Sequence, residues 1–198
     1  MTHAAELDLN TIQVPLSWSE VFGRTAPLHL EIGSGKGRFL LELAADHPEW
    51  DLLAVERANK YHTLVCSRVA RRGLSNVRLL RTTAEDLLHR LLPAASVDTL
   101  YVLFPDPWPK KRHHKRRLFN PETSRAMVRA LRPGGRLMVK SDHMGYAEVI
   151  DEVLRATPGL RMVDPDEAFR ELPLTGFETK YLEQGRAIRA FAAITDGA

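Results

Sequence analysis

Cysteine and long apolar stretches are nearly absent from this sequence. Cys66 is the only cysteine in 198 residues, which excludes an intramolecular disulfide and a zinc site built from several cysteines. No apolar run approaches the ~18 residues that a membrane-spanning helix needs. The first ten residues, MTHAAELDLN, have neither a basic start nor an apolar centre, so they do not predict a signal peptide. We therefore expect a cytoplasmic protein.

Acidic residues are missing from one short basic segment. Residues 110–117 contain six Lys/Arg and no Asp/Glu. Since the whole chain has 28 Lys/Arg and 25 Asp/Glu, the remainder has 22 basic against 25 acidic residues. A positive patch on an otherwise acidic protein attracts polyanions to one face. The alternative interpretation of this run is a solvated or flexible basic loop. The charge distribution thus favours a polyanion as partner without identifying it.

Short apolar runs recur along most of the chain. The first five lack strict alternation of polar and apolar residues, which is typical of strands covered on both faces, and two later runs are interpreted as closing strands. These predicted strands are residues 28–33, 51–56, 77–81, 99–104, 136–141, 160–163 and 187–194. Amphipathic segments predict helices at residues 37–47, 59–73, 84–92, 121–135 and 146–157. The alternation predicts an α/β fold with a doubly wound, mostly parallel seven-stranded sheet.

The predicted strands all lie within residues 27–198, which we interpret as one domain. Its composition is that of an ordinary globular protein, since the chain has 44% hydrophobic and 27% charged residues. Residues 1–26 are interpreted as an N-terminal extension with one short helix that Ser17 caps. The sequence leaves a monomer and a homodimer equally open.

A glycine-rich stretch follows the first predicted strand. In EIGSGKG, Glu31 precedes Gly33, Gly35 and Gly37, and Glu56 ends the second predicted strand 23 residues after Gly33. Ligands of such sheets bind beyond the carboxyl ends of the strands. Glycines let the backbone approach a ligand closely, and an acid at the end of the second strand can accept hydrogen bonds from both hydroxyls of a ribose. The spacing therefore predicts a nucleoside site.

Three kinds of nucleotide site compete for this loop. A Walker loop needs a glycine and a Ser/Thr where this chain has Leu30 and Gly37. A dinucleotide site needs G-x-G-x-x-G, and the carboxylate of Glu31 would repel a pyrophosphate. S-adenosylmethionine has a ribose, no phosphate, and ammonium and sulfonium cations that suit Glu31. We therefore favour S-adenosylmethionine as the cofactor, with a structural glycine turn as the alternative.

A second motif, LFPDPWPKKRHHKRR, spans residues 103–117. Pro105 and Pro107 restrict the backbone on each side of Asp106, which lies at the end of the fourth predicted strand. Because a basic run follows at once, this carboxylate predicts chemistry performed on a bound polyanion. His113 and His114 lack partner ligands at metal-binding spacing, so no metal is expected.

These motifs resemble those of the class I S-adenosylmethionine-dependent methyltransferases. EIGSGKG, the strand ending AVE and the LRPGG before the fifth strand carry the general resemblance. LFPDPWPKKRHHKRR is similar to the signature of the bacterial tRNA (guanine-N(7)-)-methyltransferases, and the similarity covers roughly residues 27–195. The resemblance implies a Rossmann-like fold and transfer of a methyl group to the 7-position nitrogen of a guanine in the variable loop of tRNA.

The resemblance also implies roles for individual residues. The cofactor contacts would be Glu31, Gly33, Gly35, Gly37, Glu56, Thr83 and Asp106, with Asp106 also at the active site. The tRNA or its target base would be contacted by Lys110 and Asp142, and the RNA phosphates by Lys111, Arg112, Lys115, Arg116 and Arg117. Asp142 has an alternative role as the cap of the helix that begins near Tyr146.

Two positions depart from the family pattern. A late substrate-binding element, T-x-Y/F-E, is assigned to TKYL: Thr179, Lys180 and Tyr181 match, but Leu182 stands in place of the acid and Glu183 follows one residue late. Thr83 stands where many relatives carry an acidic or amide residue near the adenine. Its hydroxyl can still form a hydrogen bond with the cofactor.

The chemistry that the resemblance implies needs no general base. The 7-position nitrogen of guanine has a lone pair and no proton, so Asp106 would align the base and stabilise its growing positive charge. Two other classes remain open. One is a methyltransferase that acts on another nucleic acid or on a small molecule, and the other is a non-catalytic RNA-binding protein with this fold.

Overall fold

All seven predicted strands form, and one more joins them. The computed structural model describes residues 5–196. Its strands are β1 (Glu6–Leu7), β2 (Leu28–Ile32), β3 (Asp51–Val55), β4 (Val77–Leu80), β5 (Val97–Leu103), β6 (Leu131–Ser141), β7 (Leu160–Val163) and β8 (Arg189–Thr195). The predicted fold class is confirmed, whereas the predicted count of seven strands is wrong because β1 adds an eighth.

The strands lie in one sheet in the order β1-β4-β3-β2-β5-β6-β8-β7. Neighbouring strands from β1 to β6 are parallel, and β8 is antiparallel to both β6 and β7. The chain moves outward from β2 to β3 and β4 and then returns to β5 on the other side of β2. Strand order therefore reverses between β2 and β5, which is where ligands bind in sheets of this kind.

Both faces of the sheet are covered by apolar side chains. In β3, Leu53 and Val55 pack in one buried cluster, while Leu52 and Ala54 pack in another. Successive side chains of a strand point to opposite faces, so a strand with consecutive apolar residues needs cover on both sides. This is why the runs without alternation became the central strands.

Helices fill most of the connections. They are α1 (Trp18–Phe22), α2 (Arg38–Asp46), α3 (Asn59–Arg72), α4 (Ala84–Asp86), α5 (Pro121–Ala130), α6 (Met144–Ala156), α7 (Pro165–Phe169) and α8 (Gly176–Glu183). A π-helical turn, Leu87–Leu91, continues α4, and a 3-10 helix spans Lys111–Arg116. The α5 helix ends at Ala130 rather than at Gly134 and Gly135, because Leu131 already pairs with Val97 of β5.

The N-terminal segment contributes to the sheet and to the core. The β1 strand pairs with β4, and Leu16 is buried. The predicted short helix forms as α1 with Ser17 at its N-cap, although the Ser17 side chain makes no capping hydrogen bond. The division of the chain near residue 26 stays a prediction.

Candidate active site

Acidic side chains follow or end four neighbouring strands at one edge of the sheet. Glu31 lies in β2, and Glu56, Asp106 and Asp142 follow β3, β5 and β6. These strands are adjacent in the order β3-β2-β5-β6 and run in the same direction. Four carboxylates that are far apart in the sequence therefore share this edge, which we call the carboxyl edge.

The glycine loop connects β2 to α2 at the centre of the carboxyl edge. Gly33 has a φ of 83°, in the left-handed region that glycine tolerates, and its N–H donates to the Val55 carbonyl at 2.8 Å. Gly37 has a φ of 74°, and a Cβ there would lie 2.8 Å from a Val65 methyl carbon. A side chain at Gly37 would push the loop away from α3, and one at Gly33 would strain the turn.

Glu56 is fixed to the glycine loop by backbone hydrogen bonds. Its Oε2 accepts from the Gly35 N–H at 3.0 Å, and its Oε1 accepts from the Ala58 N–H at 2.7 Å. A carboxylate oxygen has more than one lone pair, so each oxygen can accept a further hydrogen bond from a ligand. The carboxylate is therefore held in place with acceptor capacity left for a ligand.

Glu31 is a buried carboxyl group whose Oε2 has no hydrogen-bond partner among residues 5–196. Desolvation, and then repulsion from Glu56, raises the pKa of Glu31 from 4.5 to about 8. The Ser34 hydroxyl in the glycine loop is also buried without a partner in the described part of the chain. Such groups are rare in folded proteins because each costs free energy. Together they indicate a ligand that supplies a cation or hydrogen-bond donors here.

Asp106 stands beyond the end of β5 with an exposed side chain, and no described residue donates a hydrogen bond to its carboxylate. The backbone around it is unusual, since Phe104 has a φ of 59° and Trp108 a φ of 43°, values that non-glycine residues rarely adopt. The Phe104 N–H donates to the Lys140 carbonyl at 2.8 Å, which ties this conformation to β6. Strained backbone of this kind clusters at functional sites.

The basic run forms the 3-10 helix beside Asp106. Its exposed cations are Lys110, Lys111, Arg112, Lys115 and Arg116. The Arg116 guanidinium lies 5.0 Å from the centroid of the Trp108 ring, and the His113 ring meets the same tryptophan edge to face at 5.8 Å. Trp108 therefore packs against the helix through these two side chains.

Arg117 differs from the other cations of the run because it is half-buried. Its Nε donates to the Pro107 carbonyl at 2.9 Å, and its guanidinium lies 4.8 Å from the centroid of the Tyr146 ring. These contacts hold the loop that carries Asp106. The five exposed cations, rather than Arg117, present their charge to solvent.

Asp142 follows β6 and is held by an ion pair. Its Oδ2 accepts from Arg186 Nη2 at 2.6 Å. Burial, and then the negative charge of Asp142, raises the pKa of Tyr181. The Arg186 guanidinium lies 4.2 Å from the centroid of the Tyr181 ring. His143, not Asp142, caps α6, since its Nδ1 accepts from the Tyr146 N–H at 3.1 Å. The capping alternative for Asp142 is therefore wrong.

The α8 helix lies across the carboxyl edge. Thr179 Oγ1 accepts from Arg38 Nη1, at the start of α2, at 3.0 Å. Tyr181 packs against Phe104 with ring centroids 5.6 Å apart, whereas Lys180 is exposed. Thr179 and Tyr181 thus contact the loops on both sides of the site. The substrate roles of Thr179, Lys180 and Tyr181 stay predictions.

An earlier stretch of the chain matches the T-x-Y/F-E pattern in full. Residues 175–178 read T-G-F-E, and both Thr175 and Glu178 are buried. Thr175 Oγ1 accepts from the Glu178 N–H at 2.9 Å, and Glu178 Oε1 accepts from Lys140 Nζ at 2.5 Å. This match was not predicted from the sequence, although T-x-x-E is the signature of a helix capping box. Thr175 and Glu178 fit the pattern better than TKYL does.

Thr83 follows β4, beside the strand that leads to Glu56. Its Oγ1 accepts from the Asp86 N–H at 3.1 Å and so caps α4. The hydroxyl hydrogen can still donate to a ligand. Capping and cofactor binding are therefore compatible at this residue.

Comparison with known proteins gives matches over most of the chain. Residues 25–191 match a family described as putative methyltransferase. A tRNA (guanine-N(7)-)-methyltransferase of Mycobacterium avium is 42% identical over 180 residues, which cover 89% of this chain and 70% of that protein. Proteins of the same name from Alkalilimnicola ehrlichii and Nitrosomonas eutropha are 42% and 39% identical over 88% of this chain and 75% and 79% of their own lengths. This chain belongs to the tRNA (guanine-N(7)-)-methyltransferase family.

Solved methyltransferase structures share the fold of this family member. The 16S rRNA methyltransferase KamB has a TM-score of 0.62 at 20% identity and covers 90% of this chain and 92% of its own. TrmN from Thermus thermophilus has a TM-score of 0.62 at 21% identity and covers 89% of this chain and 46% of its own. At such low identity the likeness shows the Rossmann-like fold alone.

The carboxyl edge of this tRNA (guanine-N(7)-)-methyltransferase family member fits S-adenosylmethionine, the methyl donor. The unpartnered Oε2 of Glu31 suits an ammonium group, and the prearranged carboxylate of Glu56 suits a ribose. Within residues 5–196 no group of three or more His, Cys, Asp or Glu could hold a metal ion. None of the described helices is both long enough and apolar enough to cross a membrane.

Cofactor binding should depend on pH through Glu31. Below pH 8 the carboxyl group keeps its proton in the free protein, whereas binding an ammonium group favours the carboxylate. We therefore expect affinity for S-adenosylhomocysteine to fall as the pH decreases below about 8, by up to about tenfold per pH unit. Calorimetric titration of the wild type and of Glu31→Gln measures this effect. The variant lacks the titrating group, so an equally steep pH dependence in both proteins would contradict the role of Glu31.

Proposed function

We propose that this protein transfers a methyl group from S-adenosylmethionine to the 7-position nitrogen of a guanine in the variable loop of tRNA, in the cytoplasm. The observation that supports this most strongly is the placement of Asp106. Its exposed carboxylate, which has no donor among the described residues, follows β5, the strand next to the one that carries Glu31, and an exposed basic helix follows it in the chain. The curated relatives carry the name of this activity.

On the cofactor side, the chain's task is orientation. When bound, S-adenosylmethionine supplies an electrophilic methyl group on a sulfonium. Glu56, already fixed by two backbone N–H groups, holds the ribose, and Glu31 holds the ammonium group. Both carboxylates flank the glycine loop after β2, and Asp106 follows β5, the adjacent strand. Donor and acceptor are thereby brought together where strand order reverses.

On the base side, Asp106 acts through its charge. The 7-position nitrogen attacks with a lone pair, so no proton has to be removed. As the methyl group arrives, positive charge spreads over the purine, and the N1 and exocyclic amine hydrogens become stronger donors. Hydrogen bonds from these hydrogens to Asp106 therefore strengthen in the transition state, which lowers the barrier.

Asp142 is a second acceptor for the base, although Arg186 is bound to it in the free protein. A guanidinium and the N1 and amine edge of guanine present similar pairs of N–H donors, so the base competes with Arg186 for one carboxylate. The Tyr181 ring, over which Arg186 lies, offers a stacking surface for a purine. We assign Asp142 and Tyr181 to base binding on this ground.

Glu178 and Lys140 position these groups. Their ion pair links the first turn of α8 to the carboxyl end of β6, the strand that Asp142 follows. Lys140 also lies 4.2 Å from the centroid of the Phe169 ring, so both partners are surrounded by protein. The pair therefore fixes α8, which carries Tyr181, relative to Asp142.

The exposed cations of the 3-10 helix bind tRNA phosphates. Replacing Lys111 and Lys115 with Ala should weaken tRNA binding and flatten its dependence on the logarithm of salt concentration by roughly 0.7–0.9 per lost contact. Affinity for S-adenosylhomocysteine should be unchanged, since neither side chain lies at the glycine loop. Filter binding at several salt concentrations measures the slope. A slope equal to that of the wild type would identify the run as a solvated loop.

The reaction itself is tested with labelled S-adenosylmethionine and bulk tRNA, followed by digestion and identification of the labelled nucleoside. We expect 7-methylguanosine. Label in another nucleoside would assign the chain to a different modification. Transfer to ribosomal RNA but not to tRNA would assign it to another RNA, and no transfer with retained RNA binding would support a non-catalytic role.

A further inference from the structure

A second segment of the chain carries basic residues without acidic ones. Residues 57–84 contain no Asp/Glu, and their seven Lys/Arg are Arg57, Lys60, Arg68, Arg71, Arg72, Arg78 and Arg81. Outside this segment and the run at 110–117, the chain has 15 basic against 25 acidic residues. Positive charge is thus concentrated in two segments of the chain, and only the run at 110–117 has been assigned a role so far.

Part of this second segment lies at the carboxyl edge. Arg57 follows β3, Lys60 lies in the first turn of α3, and Arg81 follows β4. Lys36 lies in the glycine loop, which follows β2, the strand that pairs with β3. All four side chains are exposed. We call Lys36, Arg57, Lys60 and Arg81 the second basic surface.

The cations of the second basic surface form no ion pair with any described residue. At the opposite edge of the sheet two arginines are paired with acids, since Arg24 bonds to Asp51 at 2.7 Å and Arg132 bonds to Asp98 at 2.7 Å. Arg71 and Arg72, at the far end of α3, form no ion pair within residues 5–196. A cation without an internal partner keeps its attraction for an external anion. The edge that carries the reacting groups therefore presents four exposed cations, Lys36, Arg57, Lys60 and Arg81, that no described acid neutralises by an ion pair.

We infer that the second basic surface binds phosphates of the same tRNA whose guanine reaches Asp106. This inference rests on the proposed function. The β4 strand is three positions from β5 in the sheet, and at about 4.8 Å per strand their ends are roughly 14 Å apart. A nucleic-acid duplex carries about one phosphate charge per 1.7 Å of its axis. One RNA helix along the carboxyl edge therefore reaches both basic surfaces, with the target base between them.

The α3 helix offers a matched pair of variants. Lys60→Gln with Arg81→Gln removes two charges from the second basic surface without touching Arg57, which adjoins Glu56. Arg71→Gln with Arg72→Gln removes two charges from the other end of α3, about 18 Å along the helix from Lys60. Both double variants change the net charge equally. They differ in the edge of the sheet from which the two positive charges are removed.

Binding of full-length tRNA is measured with saturating S-adenosylhomocysteine over a series of salt concentrations. For the Lys60/Arg81 variant we expect affinity to fall about 15- to 30-fold at 0.15 M salt and the salt slope to flatten by roughly 1.4–1.8, as for two lost phosphate contacts. The Arg71/Arg72 variant should remain within about threefold of the wild type with an unchanged slope. Equal losses in both variants would reduce the effect to net charge and overturn the inference.

Two further measurements separate the possible causes of a loss. Lys60→Arg with Arg81→Lys keeps both charges and should bind tRNA like the wild type, whereas a loss of binding in this variant would show that the residues act by shape. Cofactor affinity and thermal unfolding of the Lys60/Arg81 variant should match the wild type. If the wild type neither binds nor methylates tRNA, the proposed function fails. If it does both and the Lys60/Arg81 variant binds equally well, only the second surface is refuted.

Discussion

Replacing Asp106 with asparagine should lower the rate of methyl transfer by about 10²–10³-fold, the size of effect seen when one prearranged electrostatic partner is removed from a transition state. The carboxamide keeps the shape of the side chain and one acceptor oxygen but loses the negative charge. No described residue donates to the Asp106 carboxylate, so the substitution leaves no broken internal hydrogen bond behind. Affinity for tRNA should change little, because the exposed cations remain.

Single-turnover methylation at saturating cofactor and tRNA measures this rate. Asp46→Asn is a matched control, since Asp46 is an exposed carboxylate at the far end of α2. If Asp106 only shapes its loop, the variant will stay within about threefold of the wild type, which is less than ~1 kcal/mol on the barrier. If Asp106 instead holds the ammonium group, cofactor affinity will fall in step with the rate. Either outcome would remove its electrostatic role.

Replacing Glu56 with alanine should weaken S-adenosylhomocysteine binding by about ten- to a hundredfold, or ~1.5–3 kcal/mol. The variant loses two charge-assisted hydrogen bonds to the ribose. It also removes the acceptor of the hydrogen bonds that the N–H groups of Gly35 and Ala58 donate to Glu56. Both losses act on the cofactor site, and tRNA affinity should be nearly unchanged.

Titration calorimetry measures this affinity. Glu49→Ala removes an exposed carboxylate between α2 and β3, at the opposite edge of the sheet, and should bind like the wild type. Glu56→Gln keeps an acceptor for one of the two backbone N–H groups and should fall between the wild type and the alanine variant. Wild-type affinity in Glu56→Ala would exclude Glu56 from the cofactor site.

The central sheet could be predicted from the sequence because its signal is local. In β3, four consecutive apolar residues, Leu52 to Val55, can only be covered from two sides, and this already indicates a buried parallel strand. The β1 strand has two residues, Glu6 and Leu7, which are too few to show a pattern. It forms because β4 offers it a neighbour, and that is a tertiary effect.

The carboxylates of the site could be placed for the same reason, since each lies at or just after a predicted strand end. Their partners could not. Asp142 pairs with Arg186, 44 residues later, and Lys140 pairs with Glu178, 38 residues later. Nothing in local spacing encodes such pairs. They depend on α8 folding across the carboxyl edge.

The α8 helix was itself missed because its apolar residues do not face the core. Phe177 and Leu182 are 52% and 56% exposed, so the segment lacks the periodic buried stripe by which helices are recognised. The capping box of Thr175 and Glu178 was the available signal.

One substitution in the RNA tests the proposed reaction most directly. A tRNA carrying 7-deazaguanosine at the target position of the variable loop keeps the N1 and amine edge that Asp106 is expected to bind but lacks the nucleophilic nitrogen. We predict that it binds this protein as tightly as the unmodified tRNA and accepts no methyl group from labelled S-adenosylmethionine, while 7-deazaguanosine at a distant position leaves methylation intact. Methyl transfer to the tRNA with the substituted target position would contradict the assignment of both the atom and the site.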